Sequence, residues 1–288
     1  MLESLINPRK VERRPARMLF IGLMYASLSL LLVHFFFSSN EVLSKFSGMI
    51  VVTFCVMFSF PFMYFLMKKE EIDDEKAEGF SGIWKMHKDA IYAFIFLFLG
   101  FIIAFSFWYI VLQDSNLLNA QIKTYCMMNE IRDIEVCATK YSFNTPVELK
   151  LTGAFTKEAR FFSLLENNFY VMVFTLLLSL IFGAGAIFVL AWNASVIAVA
   201  ISVFTENKIT GIPLGIGRYM IHGFPEVTAY FIAALAGGIF GVGIIKKGKM
   251  EGKLQTITRN VIILIFIALI LLIIAAAIEV YITPLLFG

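Results

Sequence analysis

Long apolar runs are the feature that most constrains how this chain folds. Seven stretches approach the roughly 20 residues that a helix needs to cross a bilayer, and lipid offers free backbone groups no hydrogen-bond partner, so each crossing should be helical. The predicted spans are residues 18–37, 47–67, 90–112, 167–182, 186–204, 225–245 and 258–283. Apolar residues make up 59% of the sequence and charged residues 16%, which excludes a soluble enzyme. The prediction is an all-α, polytopic transmembrane helical bundle.

The positions of the basic residues predict the direction of each span. They cluster at residues 9–17, 68–88 and 246–259. Lys and Arg prefer the cytoplasmic side, so all three clusters should lie there. Since the third span ends on the opposite side, this requires the chain to cross the membrane three times between the third span and the last cluster. The apolar stretch 169–204 must then turn near Gly183 to Gly185, where glycine permits a tight turn. We therefore expect a multi-pass cell membrane protein with a cytoplasmic N-terminus and an extracytoplasmic C-terminus.

The chain divides into three predicted parts. Residues 1–112 form a three-span unit with a basic N-terminus, residues 113–160 form an extracytoplasmic loop, and residues 161–288 form a membrane core in which glycine, alanine and intramembrane polar residues concentrate. The first span is followed by Ser38, Ser39 and Asn40, which offer no convincing cleavage site. We expect an uncleaved anchor rather than a signal peptide.

The extracytoplasmic loop carries Cys126 and Cys137. In an oxidising compartment such a pair can form a disulfide that closes the loop. The alternative is two free thiols, each packed beneath a turn, because spacing alone does not establish geometry. Cys55 lies inside the second predicted span and is expected to be a small core residue.

The sequence contains no complete catalytic or metal-binding motif. Its three histidines, His34, His87 and His222, are too few and too far apart for a multi-histidine centre. A nucleophile elbow and a phosphate-binding loop are also absent. A net charge of +3 gives no reason to propose a nucleic-acid partner. We expect no enzyme activity, no catalytic residue, no metal and no cofactor.

The most informative segment contains Arg218, His222 and Glu226. Pro225 suits the first turn of a helix and Gly223 suits the position just past a helix end. This predicts a short re-entrant or interfacial helix, a sharp turn, and then the sixth span with Glu226 in its first turn. The three polar residues form either a substrate or proton site or a polar clasp that holds the short helix against the span.

Further polar residues should gather near this segment on the extracytoplasmic side. The predicted cluster comprises Arg218, His222, Glu226, Asn167, Asn168, Asn193 and Glu279. After Glu226, small residues recur at every fourth position: Ala229, Ala233, Gly237 and Gly241. Such a stripe lets two helix backbones approach closely in lipid, either within the chain or between two copies of a homo-oligomer.

These residues carry a resemblance to a known family. The segment 166–243 has Asn167 and Asn168 before a glycine-containing span, Asn193 in the next span, and the element from His222 to Glu226 followed by an Ala/Gly-rich helix. In this it resembles the stage II sporulation protein M family of integral membrane proteins. Ile221 stands where the family usually has proline. The opening residues 2–8 look like those of archaeal members.

The resemblance implies a non-enzymatic membrane protein. In sporulating bacteria such members recruit partners that cut or remodel peptidoglycan, but members also occur in organisms that neither sporulate nor make that wall. The first hypothesis is a scaffold that binds other envelope proteins in contact with membrane lipids. The alternative is a small-solute or ion transporter that uses the Arg/His/Glu cluster. A water-filled cavity at Glu226 and its neighbours that reaches toward the membrane centre would favour transport, whereas a packed and paired cluster with no cavity would favour the scaffold.

Overall fold

The computed structural model of the chain describes residues 16–74, 79–114, 116–129, 133–141, 156–182, 185–245 and 254–287. The helices are α1 (Arg17–Phe37), α2 (Ser47–Asp74), α3 (Gly79–Leu112), α4 (Asn119–Met128), α5 (Ile134–Tyr141), α6 (Lys157–Phe182), α7 (Ala186–Phe204), α8 (Ile212–Ile245), α9 (Leu254–Ala277) and α10 (Thr283–Phe287). Short 3₁₀ turns at Leu43–Phe46 and Ile209–Gly211 precede α2 and α8, and a π-helical turn at Ile278–Ile282 joins α9 to α10. Residues 9–15 of the N-terminal basic cluster, Gly183, Ala184 and the basic loop 246–253 lie outside the described residues.

Seven of these helical segments are long and apolar enough to cross a membrane: α1, α2, α3, α6, α7, α8 and the unit formed by α9, its π turn and α10. Large apolar side chains are exposed on the outside of the bundle, as at Phe20, Ile181 and Phe266, which are 66%, 69% and 63% exposed. This pattern fits helices whose outer faces meet lipid. The all-α, seven-span architecture predicted from the sequence is confirmed, and the protein is a multi-pass membrane protein.

The loops after α1, α3 and α7 meet at one end of the bundle, which we call the hairpin side. There the Asp114 carboxylate accepts a hydrogen bond from the Ser38 hydroxyl at 2.7 Å and lies 3.1 Å from His34 Nδ1. The chain enters α1 at the opposite end, which we call the N-terminal side. The described ends of α2, α6 and α8 also reach that side.

We expect Asp114→Ala to lower the stability of the folded protein by about 2 kcal/mol, because the partly buried Asp114 carboxylate accepts charge-assisted hydrogen bonds that join the end of α1 to the end of α3. The measurement is the thermal midpoint of unfolding in detergent. Glu206→Gln is the matched control: its carboxylate pairs with Lys208 in an exposed loop and should give no measurable shift. An equal shift in both variants would contradict the assignment of Asp114 as a structural tie.

Helices α4 and α5 form a hairpin closed by a Cys126–Cys137 disulfide with Cα atoms 6.1 Å apart. We call them the disulfide hairpin. It is fixed to α2 because Gln121 Nε2 donates to the Gly48 carbonyl at 3.0 Å. Cys55 is a buried free thiol in α2.

The first three spans pack directly against the later ones. Phe94 of α3 stacks on Phe231 of α8 with ring centroids 3.7 Å apart, and both side chains are fully buried. Further along α3, the Trp108 indole N–H donates to Ser27 of α1 at 2.9 Å. The described residues of the first three spans therefore share one hydrophobic core with those of the later spans.

The predicted break before the sixth span is wrong. Helix α8 runs without interruption from Ile212 to Ile245, with Gly223 and Pro225 inside it. A proline removes one backbone hydrogen bond, but membrane helices tolerate this where neighbouring groups satisfy the freed carbonyl. Glu226 therefore lies in the interior of a helix, about 21 Å along it from Ile212 at 1.5 Å per residue, and not in a first turn.

The small-residue stripe on α8 lies against α6. Ala229, Ala233, Gly237 and Gly241 are all buried. A Cβ atom on Gly241 would lie 2.6 Å from the Leu180 carbonyl oxygen, and one on Gly237 would collide with the Leu176 carbonyl oxygen. The stripe is thus used for helix contact within the chain.

Candidate functional site

The helical repeat places Arg218, His222 and Glu226 on one face of α8, because residues four apart lie one above the other. This face borders a cavity of about 340 Å³. The walls are α6, α7, α8, the C-terminal end of the last span and the disulfide hairpin. The polar residues that line the cavity are Tyr125, Asn129, Arg160, Asn168, Asn193, Arg218, Tyr219, His222, Glu226, Glu279 and Thr283.

Near the mouth, Glu279 lies between two basic side chains. Its carboxylate oxygens are 3.7 Å from Arg160 Nη2 and 3.8 Å from His222 Nε2. Glu279 belongs to the π-helical turn Ile278–Ile282, a rare feature that often re-aims a side chain at a functional site. The Thr283 hydroxyl lies 3.4 Å from the other ring nitrogen of His222. Three spans thus meet at this point through polar groups.

Arg218 is held at the mouth by the end of the chain and by α7. Its Nη1 donates to the Phe287 carbonyl at 2.7 Å, and its guanidinium lies 4.6 Å from the centroid of the Phe204 ring. Such stacking favours a cation over an aromatic face. The guanidinium is therefore fixed in place while part of it still borders the cavity.

Glu226 forms the floor of the cavity. The Tyr230 hydroxyl donates to its Oε1 at 2.8 Å, and Asn168 of α6 is also hydrogen-bonded to the carboxyl group. Among the described residues, no basic nitrogen forms an ion pair with it within 4.0 Å. The carboxyl group is surrounded by protein yet partly accessible, because it faces the cavity. A carboxylate in this position has neutral hydrogen-bond donors but no counter-charge.

The disulfide hairpin covers part of the mouth. Tyr125, Met128 and Asn129 at the end of α4 line the cavity, and Cys126 in the same turn is fully buried. Burial raises the pKa of the Tyr125 phenol above its ordinary value, so its hydroxyl stays neutral at physiological pH. Arg160, 58% exposed, marks the open part of the rim.

The structure brings together all but one of the predicted polar residues. Arg218, His222, Glu226, Asn168, Asn193 and Glu279 line the cavity. Asn167 does not: it is exposed, and its Nδ2 donates to Asn168 Oδ1 at 3.2 Å. Asn193 donates to the Val189 carbonyl of its own helix at 2.7 Å.

Sequence reasoning missed Arg160, Tyr230 and Thr283. Arg160 was overlooked because α6 begins at Lys157, ten residues before the predicted start of the fourth span at residue 167. The signal was present, since Arg160 and Asn168 are eight residues apart and so share a helix face. Within the described parts of the chain, no group of three or more His, Cys, Asp or Glu side chains is arranged to hold a metal ion.

Fold and cavity together define a polytopic α-helical membrane protein with an intramembrane polar cavity. The chain belongs to the family described as Stage II sporulation protein M, whose profile matches residues 93–284. The match begins within α3 and includes the disulfide hairpin, beyond the segment 166–243 that carries the resemblance. Neither a curated protein nor a solved structure matches the chain.

Proposed function

We propose that this protein is a membrane carrier that binds a small polar solute in the cavity above Glu226. The observation that carries the proposal is the cavity itself: polar side chains of four spans surround about 340 Å³ of space inside an apolar bundle. Ligand sites are concave and contain a few converging polar groups, whereas a structural clasp would be closed by its own partners. Nothing in this function requires covalent chemistry, so the protein acts as a non-enzymatic binding and transport protein.

We further propose that the cavity opens to the extracytoplasmic side. Two features support this orientation. In the sequence, the basic clusters adjoin the helix ends that lie on the N-terminal side, which the positive-inside rule assigns to the cytoplasm. The Cys126–Cys137 disulfide lies on the hairpin side and persists only in an oxidising compartment. The C-terminus is then extracytoplasmic.

The walls of the cavity are suited to a change of access. Helices α6 and α7 touch near the N-terminal side, where a Cβ on Gly185 would lie 2.6 Å from Leu178. Toward the hairpin side they separate around the cavity, with Asn168 on one and Asn193 on the other. Carriers often combine such a site near the bilayer midplane with an irregular helix, and the π turn at Glu279 is such an irregularity.

Two-sided access to the cavity tests this function without knowledge of the solute. We would place a single free thiol at Ile197→Cys, which lines the cavity, in a Cys55→Ala background. A charged, membrane-impermeant thiol reagent should label this position in right-side-out vesicles and also, as the carrier changes its access, in inside-out vesicles. Labelling from one side only would overturn the carrier function. Phe266→Cys, 63% exposed in the middle of α9, is the control and should resist the reagent in both.

A second candidate is the scaffold expected from the family resemblance, in which the hairpin side binds other envelope proteins. The observation in its favour is the apolar surface of the disulfide hairpin, where Met127, Met128 and Val136 are 52%, 50% and 38% exposed. Met127→Ser together with Val136→Ser should then abolish co-purification of the partner and leave thiol access at residue 197 unchanged. Unaltered co-purification would contradict this role.

A further inference from the structure

The charges that line the cavity are balanced. Two guanidinium groups, Arg160 and Arg218, and two carboxyl groups, Glu226 and Glu279, border it, so the positive and negative side chains are equal in number when His222 is neutral. A ligand with a net charge would leave one charge unpaired in a low-dielectric site, which is costly. A ligand that carries both signs keeps the balance.

Only part of this charge is available to a ligand. Glu279 is already compensated by Arg160, and His222 also lies beside it. Glu226 has hydrogen bonds from Tyr230 and Asn168, both neutral. Arg218 uses N–H groups on Phe287 and Tyr219, but a guanidinium has five donors. The two groups without a charged partner are therefore the Arg218 guanidinium at the mouth and the Glu226 carboxyl group at the floor, and a cationic ligand group would favour the ionised form of Glu226.

The placement of these two groups favours a ligand with its charges at opposite ends. Arg218 and Glu226 are eight residues apart on one helix face, so their Cα atoms are separated by about 12 Å along the axis at 1.5 Å per residue. A ligand that contacts both side chains therefore spans part of the cavity between them. A four-carbon ω-amino acid and ethanolamine phosphate both carry one group of each sign at the two ends of a short chain.

From this placement we infer that the cavity binds a zwitterion, with its carboxylate or phosphate at Arg218 near the mouth and its ammonium group at Glu226 on the floor. The inference rests on the carrier function and names its substrate class. The same chemistry occurs in a soluble amino acid and in the headgroup of phosphatidylethanolamine. Either ligand would enter the cavity with its ammonium group first, because this group must reach Glu226 on the floor.

Protection of Ile197→Cys, in the Cys55→Ala background, from a charged thiol reagent tests the ligand class. The protein is placed in nanodiscs of phosphatidylglycerol, and the soluble probes are 4-aminobutanoate, butylamine, butanoate and ethanolamine phosphate. We expect 4-aminobutanoate or ethanolamine phosphate to protect at concentrations at least tenfold lower than either single-charge probe. Protection that appears only when phosphatidylethanolamine replaces phosphatidylglycerol would support the zwitterion and identify lipid as its source.

Glu226→Gln is the decisive variant, because its amide oxygen still accepts the Tyr230 hydrogen bond while the charge is lost. It should remove the tenfold advantage of the zwitterion over butanoate, whereas Glu206→Gln in the exposed loop should preserve it. Equal protection by butanoate and 4-aminobutanoate in the protein with Glu226 intact would overturn the inference. An unchanged advantage of 4-aminobutanoate over butanoate in Glu226→Gln would overturn it too. If no probe and no lipid protects while residue 197 remains accessible from both sides, the substrate class is wrong and the carrier function stands.

Discussion

Gly237→Ala is expected to destabilise the folded protein by about 3 kcal/mol, because one methyl group is forced into a backbone that has no room to yield. The new Cβ would collide with the Leu176 carbonyl oxygen and lie 3.2 Å from the backbone nitrogen of Leu180. Both atoms belong to the hydrogen-bonded interior of α6. The clash is relieved only by moving α6 away from α8, which breaks contacts along the whole stripe and disturbs one wall of the cavity.

Gly217→Ala in the same helix is the matched control. A Cβ there meets only Phe287 at 4.0 Å, so the change should be neutral or stabilise by up to about 1 kcal/mol through the higher helix propensity of alanine. Cys55 supplies the measurement, since it is buried and free and a thiol-reactive dye reports its exposure on heating. Equal unfolding midpoints for the two variants would show that the contact between α6 and α8 tolerates a side chain at residue 237.

The number of spans was accessible from the sequence because it depends on length and apolarity, which act locally. The direction of the spans stays a prediction from the positions of the basic residues. The contact face of α8 was also readable, since small residues at every fourth position have one main physical use in lipid. The continuity of α8 was not readable. Gly223 and Pro225 satisfy the local rules for a helix end, and tertiary surroundings override them.

The cavity was only partly accessible for a similar reason. Arg218, His222 and Glu226 are recognisable in the sequence because they are polar residues in an apolar segment. Arg160 lies in a polar segment that is equally compatible with a loop. The π turn that aims Glu279 has no sequence signature known to us. The spacing of residues in the sequence also does not show that α6 and α7 separate around the cavity. That separation depends on tertiary packing, which brings the two helices into contact only near the N-terminal side.

Removal of the disulfide should have a large effect on the stability of the disulfide hairpin. Its two cysteines are 11 residues apart, and opening a loop of that size is expected to cost the hairpin about 3 kcal/mol. We expect Cys126→Ala with Cys137→Ala to make residues 119–141 sensitive to protease at concentrations that leave the parent chain intact. The spans should stay folded, because most of the residues of the shared core lie in the spans and not in the hairpin.

The same variant separates two roles of the disulfide hairpin. Since Tyr125, Met128 and Asn129 form part of the cavity wall, loosening the hairpin should also speed thiol labelling at Ile197→Cys several-fold from the hairpin side, while Cys55→Ala alone, with its bridge intact, should not. Faster proteolysis with unchanged labelling would mean that the hairpin is a separate surface element. If the hairpin retains the solute during transport, we expect faster labelling of residue 197 from the hairpin side and slower labelling from the N-terminal side. That result would link the one covalent crosslink of the described chain to the carrier cycle.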